Sequence, residues 1–359
     1  EIPPPPEYEV PASSSEHEAP ASEPGPAARS RSDAATKGAP IDRVGLSAVE
    51  HPRRVVVEYS QPNIAKQMHV GHLRGTIIGD VFARVLAFEG HDVIRQNHIG
   101  DWGTQFGMLI RWYRDHPLPT AATHADVLEA IEDDYRAAQK RFTDDPAFAD
   151  EARLCVGQLQ TGDSAARHVW EQICAESWRA FTEIYERLGV LLTPADVRGE
   201  SFYNDRLAPL VAELREKCPP RSPADSRCPT GWAEVRDDQG AVCVFMYDEQ
   251  GQPRFKDKDG NHLPMIIQKS DGAFLYATTD LAAIRFRLRD LEFPTGRGAQ
   301  RVIYVTDARQ KLHFQMFFEC ARLAGWVGPG MSVEHVTYGS VLGADRRPLR
   351  EPLEIYPRD

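Results

Sequence analysis

The sequence predicts an α/β protein built on a doubly wound parallel sheet of the Rossmann type, with a helical insertion. Three observations predict it. Residues 55–105 read as strand, helix, strand; residues 264–342 alternate strands and helices again; and residues 112–200 between them carry helical spacing and dense charge.

The first unit organises the rest. Val55-Val56-Val57 is a short β-branched run bounded by breakers, the pattern of a buried strand. Pro62, in Ser60-Gln61-Pro62-Asn63, ends the ladder and forces its neighbour into an extended or turn conformation. His69-Val70-Gly71-His72 then runs into Leu73, Ile77, Ile78, Val81, Val85 and Leu86 at close to the helical period. Gly90 is placed to end that helix, and Val93-Ile94 begins a second strand. A His-x-Gly-His sequence thus falls at a strand-to-helix junction, where unpaired N–H groups and a partial positive charge suit phosphate. Two imidazoles one turn apart donate to phosphoryl oxygens without a permanent charge, and Gly71 leaves room for a flat ligand such as a nucleobase. Taken alone, the tetrapeptide equally describes two histidines capping a helix.

Beyond Trp112 the spacing predicts helices over 126–142 and 163–188, the second with Trp170, Ile173, Trp178, Phe181, Ile184, Tyr185 and Leu188 on a packing face. Ala241 to Tyr247 is a strand. Ile266-Ile267-Gln268 and Phe274-Leu275-Tyr276 flank Ser270-Asp271-Gly272 as a hairpin, and a helix is expected from Thr279, capped by Thr or Asp, to Leu288. A strand at Val302–Val305, a helix from Gln310 to Ala324 closed by Gly325, and a strand from Val333 to Leu342 complete a βαβαβ order from 264 onward. Asp101-Trp102-Gly103 follows the second strand at the sheet's carboxyl edge, with Trp102 expected to pack. Tyr203-Asn204-Asp205 reads as structural.

Composition narrows the class. Of 359 residues, 42% are hydrophobic and 26% charged, as in an ordinary soluble enzyme. No apolar run approaches a membrane span and none opens the chain as a secretory segment. The six cysteines lack a CxxC pair, so reduced, mostly buried thiols are expected, and no metal site. A net charge of −11 does not advertise nucleic-acid binding, although Arg285, Arg287, Arg289, Arg346, Arg347 and Arg350 offer a basic face.

Several blocks occur in an order that resembles the arginyl-tRNA synthetases, class I aminoacyl-tRNA synthetases whose HIGH motif corresponds to 69–72. They are SQPNIAKQMHVGHLRGTIIGD (60–80), HIGDWGTQFGMLI (98–110), ESFYNDRL (200–207), QKSDGAFLYATTDLAA (268–283), IYVTDARQKLHF (303–314) and YGSVLG (338–343). The resemblance implies an arginine–tRNA ligase that activates L-arginine with ATP, accompanied by Mg2+, and transfers it to tRNA(Arg). It implies that His69 and His72 hold the phosphates, that Gly71 admits adenine, and that Lys66 supplies cationic charge. It places Asp280 on the substrate guanidinium, Tyr276 as its orienter, and Glu58, Asn63 and Gln310 around the substrate. A monomer in the cytoplasm with no membrane partner is the corresponding expectation.

The resemblance also orders the chain. Residues 1–40, rich in Pro, Ala, Ser and Glu, are expected as a disordered tail. Residues 41–111 form the first half of the nucleotide-binding domain, 112–200 the helical insertion, and 201–359 the second half. That half ends where the family carries its KMSKS-like loop, which here reads Ala344-Asp345-Arg346-Arg347-Pro348-Leu349-Arg350, with arginines in place of lysines. On this resemblance, the family's anticodon-binding domain is expected to lie outside the 359 residues. Two other readings go with that departure: a synthetase-like paralogue acting as an ATP-dependent arginine ligase in small-molecule biosynthesis, and a non-catalytic ATP- or arginine-binding remnant.

Overall fold

A computed structural model describes residues 45–221 and 228–343. The expectations for the tail 1–40, the start of the core at Ile41 and the loop 344–350 lie outside those residues.

The first strand, β1 (Arg54–Glu58), leads through a loop into α1 (Val70–Glu89), and β2 (Asp92–Gln96) returns beside β1 in parallel. Gly90 closes α1 with φ 100°, a left-handed conformation that glycine adopts without steric cost. The helices α2 (Thr104–Trp112), α3 (His124–Asp144), α4 (Pro146–Thr161) and α5 (Ser164–Leu188) follow. Local chemistry sets their ends. Thr123 caps α3; Asp145, followed by Pro146, caps α4; Asp163 caps α5; and Gly162 and Gly189 close the last two.

After α6 (Asn204–Lys217) the strands β3 (Trp232–Asp238), β4 (Ala241–Tyr247) and β5 (Met265–Gln268) form a separate antiparallel sheet. Then come α7 (Tyr276–Arg289), the short pair β6 (Glu292–Phe293) and β7 (Gly296–Arg297), β8 (Arg301–Asp307), α8 (Lys311–Leu323) and β9 (Ser332–Tyr338). The main sheet is parallel throughout, in the order β2-β1-β8-β9. Strand order therefore reverses between β1 and β8, and the crevice beyond their carboxyl ends is where such sheets take ligands.

Side-chain alternation builds two cores. Val55, Val57, Ile303 and Val305 face α1 and the helices α2, α3 and α5. Val56, Val302 and Tyr304 face α6, α7, α8 and the antiparallel sheet. Helices thus cover both faces, as a doubly wound sheet requires, and each buried valine contributes about 1.5–3 kcal/mol.

Five expectations are corrected. The hairpin across 266–276 shrinks to one bridge, Gln268 to Phe274. The following helix begins at Tyr276 rather than Thr279, because Thr278 closes a box on Leu275 at the helix start and its hydroxyl bonds the Ile267 carbonyl. The strand at 265–268 joins the antiparallel sheet, so the parallel part of the second half starts only at β8. The last strand also stops at Tyr338, short of Leu342. Arg287 leaves the proposed basic face altogether, being fully buried. Trp102 packs edge-on against Trp170, and Tyr203 is buried, as expected. The six cysteines are free, and five of them are buried. Among the described residues no helix is long and apolar enough to cross a membrane.

Candidate active site

A cleft of about 550 Å3 lies at the switch point, a size ordinary for a small-molecule site. Its floor is the β1–α1 loop and the first turn of α1, with Asn63, Lys66, His69, Gly71 and His72. Glu132 and Arg136 of α3 line one wall, and Asp307, Arg309 and Gln310, after β8, line another.

The two histidines build the helix start. The Gly71 N–H donates to His69 Nδ1 at 3.1 Å, and the His69 N–H donates to His72 Nδ1 at 3.1 Å, a capping box made of imidazoles. With both Nδ1 atoms accepting, the neutral rings carry their protons on Nε2. The rings stack with centroids 3.9 Å apart. Burial, and then the neighbouring His69 ring, lower His72 from 6.5 to about 4, so it is uncharged at neutral pH. A Cβ on Gly71 would sit 2.8 Å from His69 Cε1, so any larger residue would displace that ring.

The loop before the helix is conformationally costly. Ser60 and Ala65 have φ of 59° and 64°, in a left-handed region worth about 1–2 kcal/mol of strain per non-glycine residue. The long helix α5 holds both. The Tyr185 hydroxyl is 2.7 Å from Ser60 Oγ, and Ser177 Oγ accepts from the Ala65 N–H at 3.0 Å. From α3, the Glu132 carboxylate accepts the Gln67 N–H at 3.0 Å, and the Tyr135 ring lies 5.0 Å from Lys66 Nζ. Of the inserted helices, α3 is therefore part of the cleft's wall and α5 braces its loop.

Tyr276 and Asp280 do not line this cleft. Asp280 projects from the second turn of α7, where its Oδ2 accepts from His313 Nε2 at 2.6 Å. His313 is on α8, one turn beyond Gln310 of the cleft. Tyr276, 64% exposed, has its ring 4.9 Å from His313. Glu58 is buried, and its carboxylate is engaged by Gln61 and by Arg287 of α7. Asn63 is exposed on a loop stitched to the next one by Gly100, whose N–H donates to the Pro62 carbonyl at 3.1 Å. Of the nine residues singled out from sequence, six thus line one cleft; the other three reach it through His313 or the β1 terminus.

Sequence reading missed His98, Glu200 and His313 beside Asp280, and Arg136 at the cleft wall. His98 and His313 lay in the quoted blocks HIGDWG and QKLHF, a usable signal; Arg136 is one of many helix charges and had none. Glu200 is pushed up to about 7 by burial, with help from Asp101 and Asp280 and against the pull of His98. Asp101, fully buried, is raised by burial while Ser201 N and Oγ donate to it at 2.8 and 2.6 Å.

A raised carboxyl destabilises the fold once it must ionise. Glu200 in the unfolded chain titrates near 4.5 and in the fold near 7, so its stabilising share is complete below 4.5 and is lost as pH rises through 7. Glu200→Gln should therefore raise stability by about 3 kcal/mol at pH 8 and by nothing near pH 4. Thermal melts of both proteins at the two pH values measure this, and an equal difference at both would contradict the burial account.

A parallel sheet whose switch point faces a histidine-built helix start defines a doubly wound α/β protein with its ligand site at the strands' carboxyl ends. Residues 41–352 match the family described as tRNA synthetases class I (R), catalytic domain, and the chain belongs to that family. It is 49% identical over 315 residues to the arginine–tRNA ligase of Frankia casuarinae, covering 86% of this chain and 49% of the relative. It is 49% identical over 298 residues to that of Stutzerimonas stutzeri, covering 83% and 46%. The chain therefore spans about half the length of these relatives. The crystal structure of arginyl-tRNA synthetase from Plasmodium falciparum superposes with a TM-score of 0.62 at 30% identity, over 82% of this chain and 44% of that one.

Proposed function

We propose that the chain carries the adenylate-forming centre of an arginine–tRNA ligase, activating L-arginine with ATP for transfer to tRNA(Arg) in the cytoplasm. The observation that carries this reading is the pair of neutral imidazoles on the α1 start, in a cleft whose β8–α8 wall joins Asp280 through His313. Arginine's carboxylate attacks the α-phosphorus, and the bond to the β-phosphate breaks to release pyrophosphate. The aminoacyl group then passes to a terminal ribose hydroxyl with AMP leaving. Catalysis of the first step is positioning plus stabilisation of charge on phosphoryl oxygens. Nε2–H donors of His69 and His72, the α1 N-terminus and the Lys66 ammonium supply that stabilisation. Gly71 gives the adenine side its clearance. Mg2+ enters with the triphosphate; among the described residues no cluster of three or more metal-ligating side chains exists. The acidic end of the site, with Asp280 partly open beside Tyr276, suits a guanidinium.

Arginine-dependent ATP–pyrophosphate exchange, with and without tRNA, tests the reading. Exchange that depends on arginine and tRNA is expected; hydroxamate formation without tRNA would instead favour a small-molecule ligase. Asp280→Ala should cost arginine affinity 10-fold or more, about the value of one hydrogen bond to a charged group, with ATP binding retained. Loss of ATP binding in that variant would remove Asp280 from the role.

A further inference from the structure

Asp280 has two oxygens and two histidine neighbours, and the histidines present opposite chemistry. His313 Nε2 donates to Oδ2 at 2.6 Å. His98 Nε2 faces Oδ1 at 4.0 Å, beyond hydrogen-bond length. The other nitrogen of His98, Nδ1, lies 2.9 Å from the Arg198 carbonyl. A carbonyl only accepts, so Nδ1 carries the proton, and in the neutral ring Nε2 is a bare lone pair. In that tautomer two acceptors face each other across 4.0 Å. The Arg198 carbonyl and the Tyr203 ring, whose centroid lies 5.7 Å from that of His98, hold the imidazole in place.

We infer that His98 is a specificity residue of the arginine site, its Nε2 lone pair and Asp280 Oδ1 receiving N–H groups of the substrate guanidinium between them. The inference rests on the substrate reading above. A guanidinium brings five donors and no acceptor, so a gap between two acceptors favours it. A ureido group of the same shape puts a carbonyl oxygen where a donor belongs and leaves an acceptor facing acceptors, which specific sites reject strongly. The surroundings agree: the carboxyls of Glu200 and Asp101, both pushed up by burial, lie near His98, while His313 is spent on the far oxygen. His313 is accordingly a positioning residue that turns Oδ1 toward the gap.

Calorimetry with the 359-residue chain tests this, using L-arginine and its neutral ureido analogue L-citrulline as probes. His98→Leu should weaken arginine about 10- to 100-fold and narrow the arginine-over-citrulline ratio, with ATP affinity unchanged. His98→Gln, whose amide oxygen restores an acceptor, should recover most of both. A residue that merely packs would not move the ratio, nor be rescued by Gln over Leu. No arginine binding by the unaltered chain would overturn the substrate reading and this inference together. Binding that Asp280→Asn weakens but His98→Leu leaves intact, in affinity and in ratio, would overturn the inference alone.

Discussion

Replacing His72 with alanine should slow arginine-dependent pyrophosphate exchange by about 100- to 1,000-fold, the usual cost of removing one preorganised donor from a developing oxyanion. The magnitude follows from the ring's state. His72 is half-buried and neutral, lowered to about 4, and its Nδ1 is committed to the His69 N–H, so its polarity is directed through Nε2. Removing it leaves the His69 N–H without its capping acceptor and opens the stack with His69, whose ring shares the cleft. The helix start should lose about 1 kcal/mol from the broken cap, too little to unfold the protein, so the catalytic loss will not be a folding artefact. Circular dichroism and melts on the same samples separate the two effects. Exchange within a few-fold of the unaltered chain would mean that phosphate stabilisation resides elsewhere on the cleft.

Arg287→Met should be the most destabilising single change, by about 3–5 kcal/mol. Arg287 is wholly inaccessible; its Nε donates to Gln96 Oε1 at 2.6 Å, its Nη1 meets the Glu58 carboxylate, and its guanidinium lies 5.0 Å from the Tyr304 ring centre. Burial by itself would push this guanidinium down, and the Glu58 carboxylate together with the Tyr304 and Tyr203 hydroxyls more than reverses that, so the group stays charged. Methionine keeps volume but leaves Glu58 as a buried carboxylate without its cation, still hydrogen-bonded by Gln61. At roughly 2–4 °C per kcal/mol for a chain of this size, the melting temperature should fall by roughly 6–20 °C. Restoring neutrality with Glu58→Gln in the same chain should recover much of the fall, and a double-mutant cycle gives the coupling. Equal melting temperatures for all four proteins would show that the pair adds nothing to stability. Because Glu58 ends β1 and Arg287 rides on α7 with Tyr276 and Asp280, the pair also ties the two sides of the site together.

Much of this was legible in the residues. Val55-Val56-Val57, the apolar spacing after His72 and the placement of Gly90 specify a βαβ unit, because strand and helix periods are written locally. The histidine pair at the helix start was visible for the same reason. Periodicity failed where a side chain bonded something distant: Thr278 reaching the Ile267 carbonyl moved the α7 start back to Tyr276, and pairing with β4 drew β5 out of the parallel sheet.

What the sequence alone determined is the fold class and the chemical inventory: a doubly wound sheet, imidazoles at a phosphate-suited helix start, and a carboxylate for a cation. Only the tertiary structure decided which groups meet. It assigned Arg287 to Glu58 instead of a basic face, set His98 and His313 on opposite oxygens of Asp280, and made α3 and α5 the brace of a strained loop. The reason is physical. Periods and caps act over a few residues along the chain, whereas a buried ion pair or an acceptor-lined gap is chosen by groups far apart in sequence that share one desolvated space.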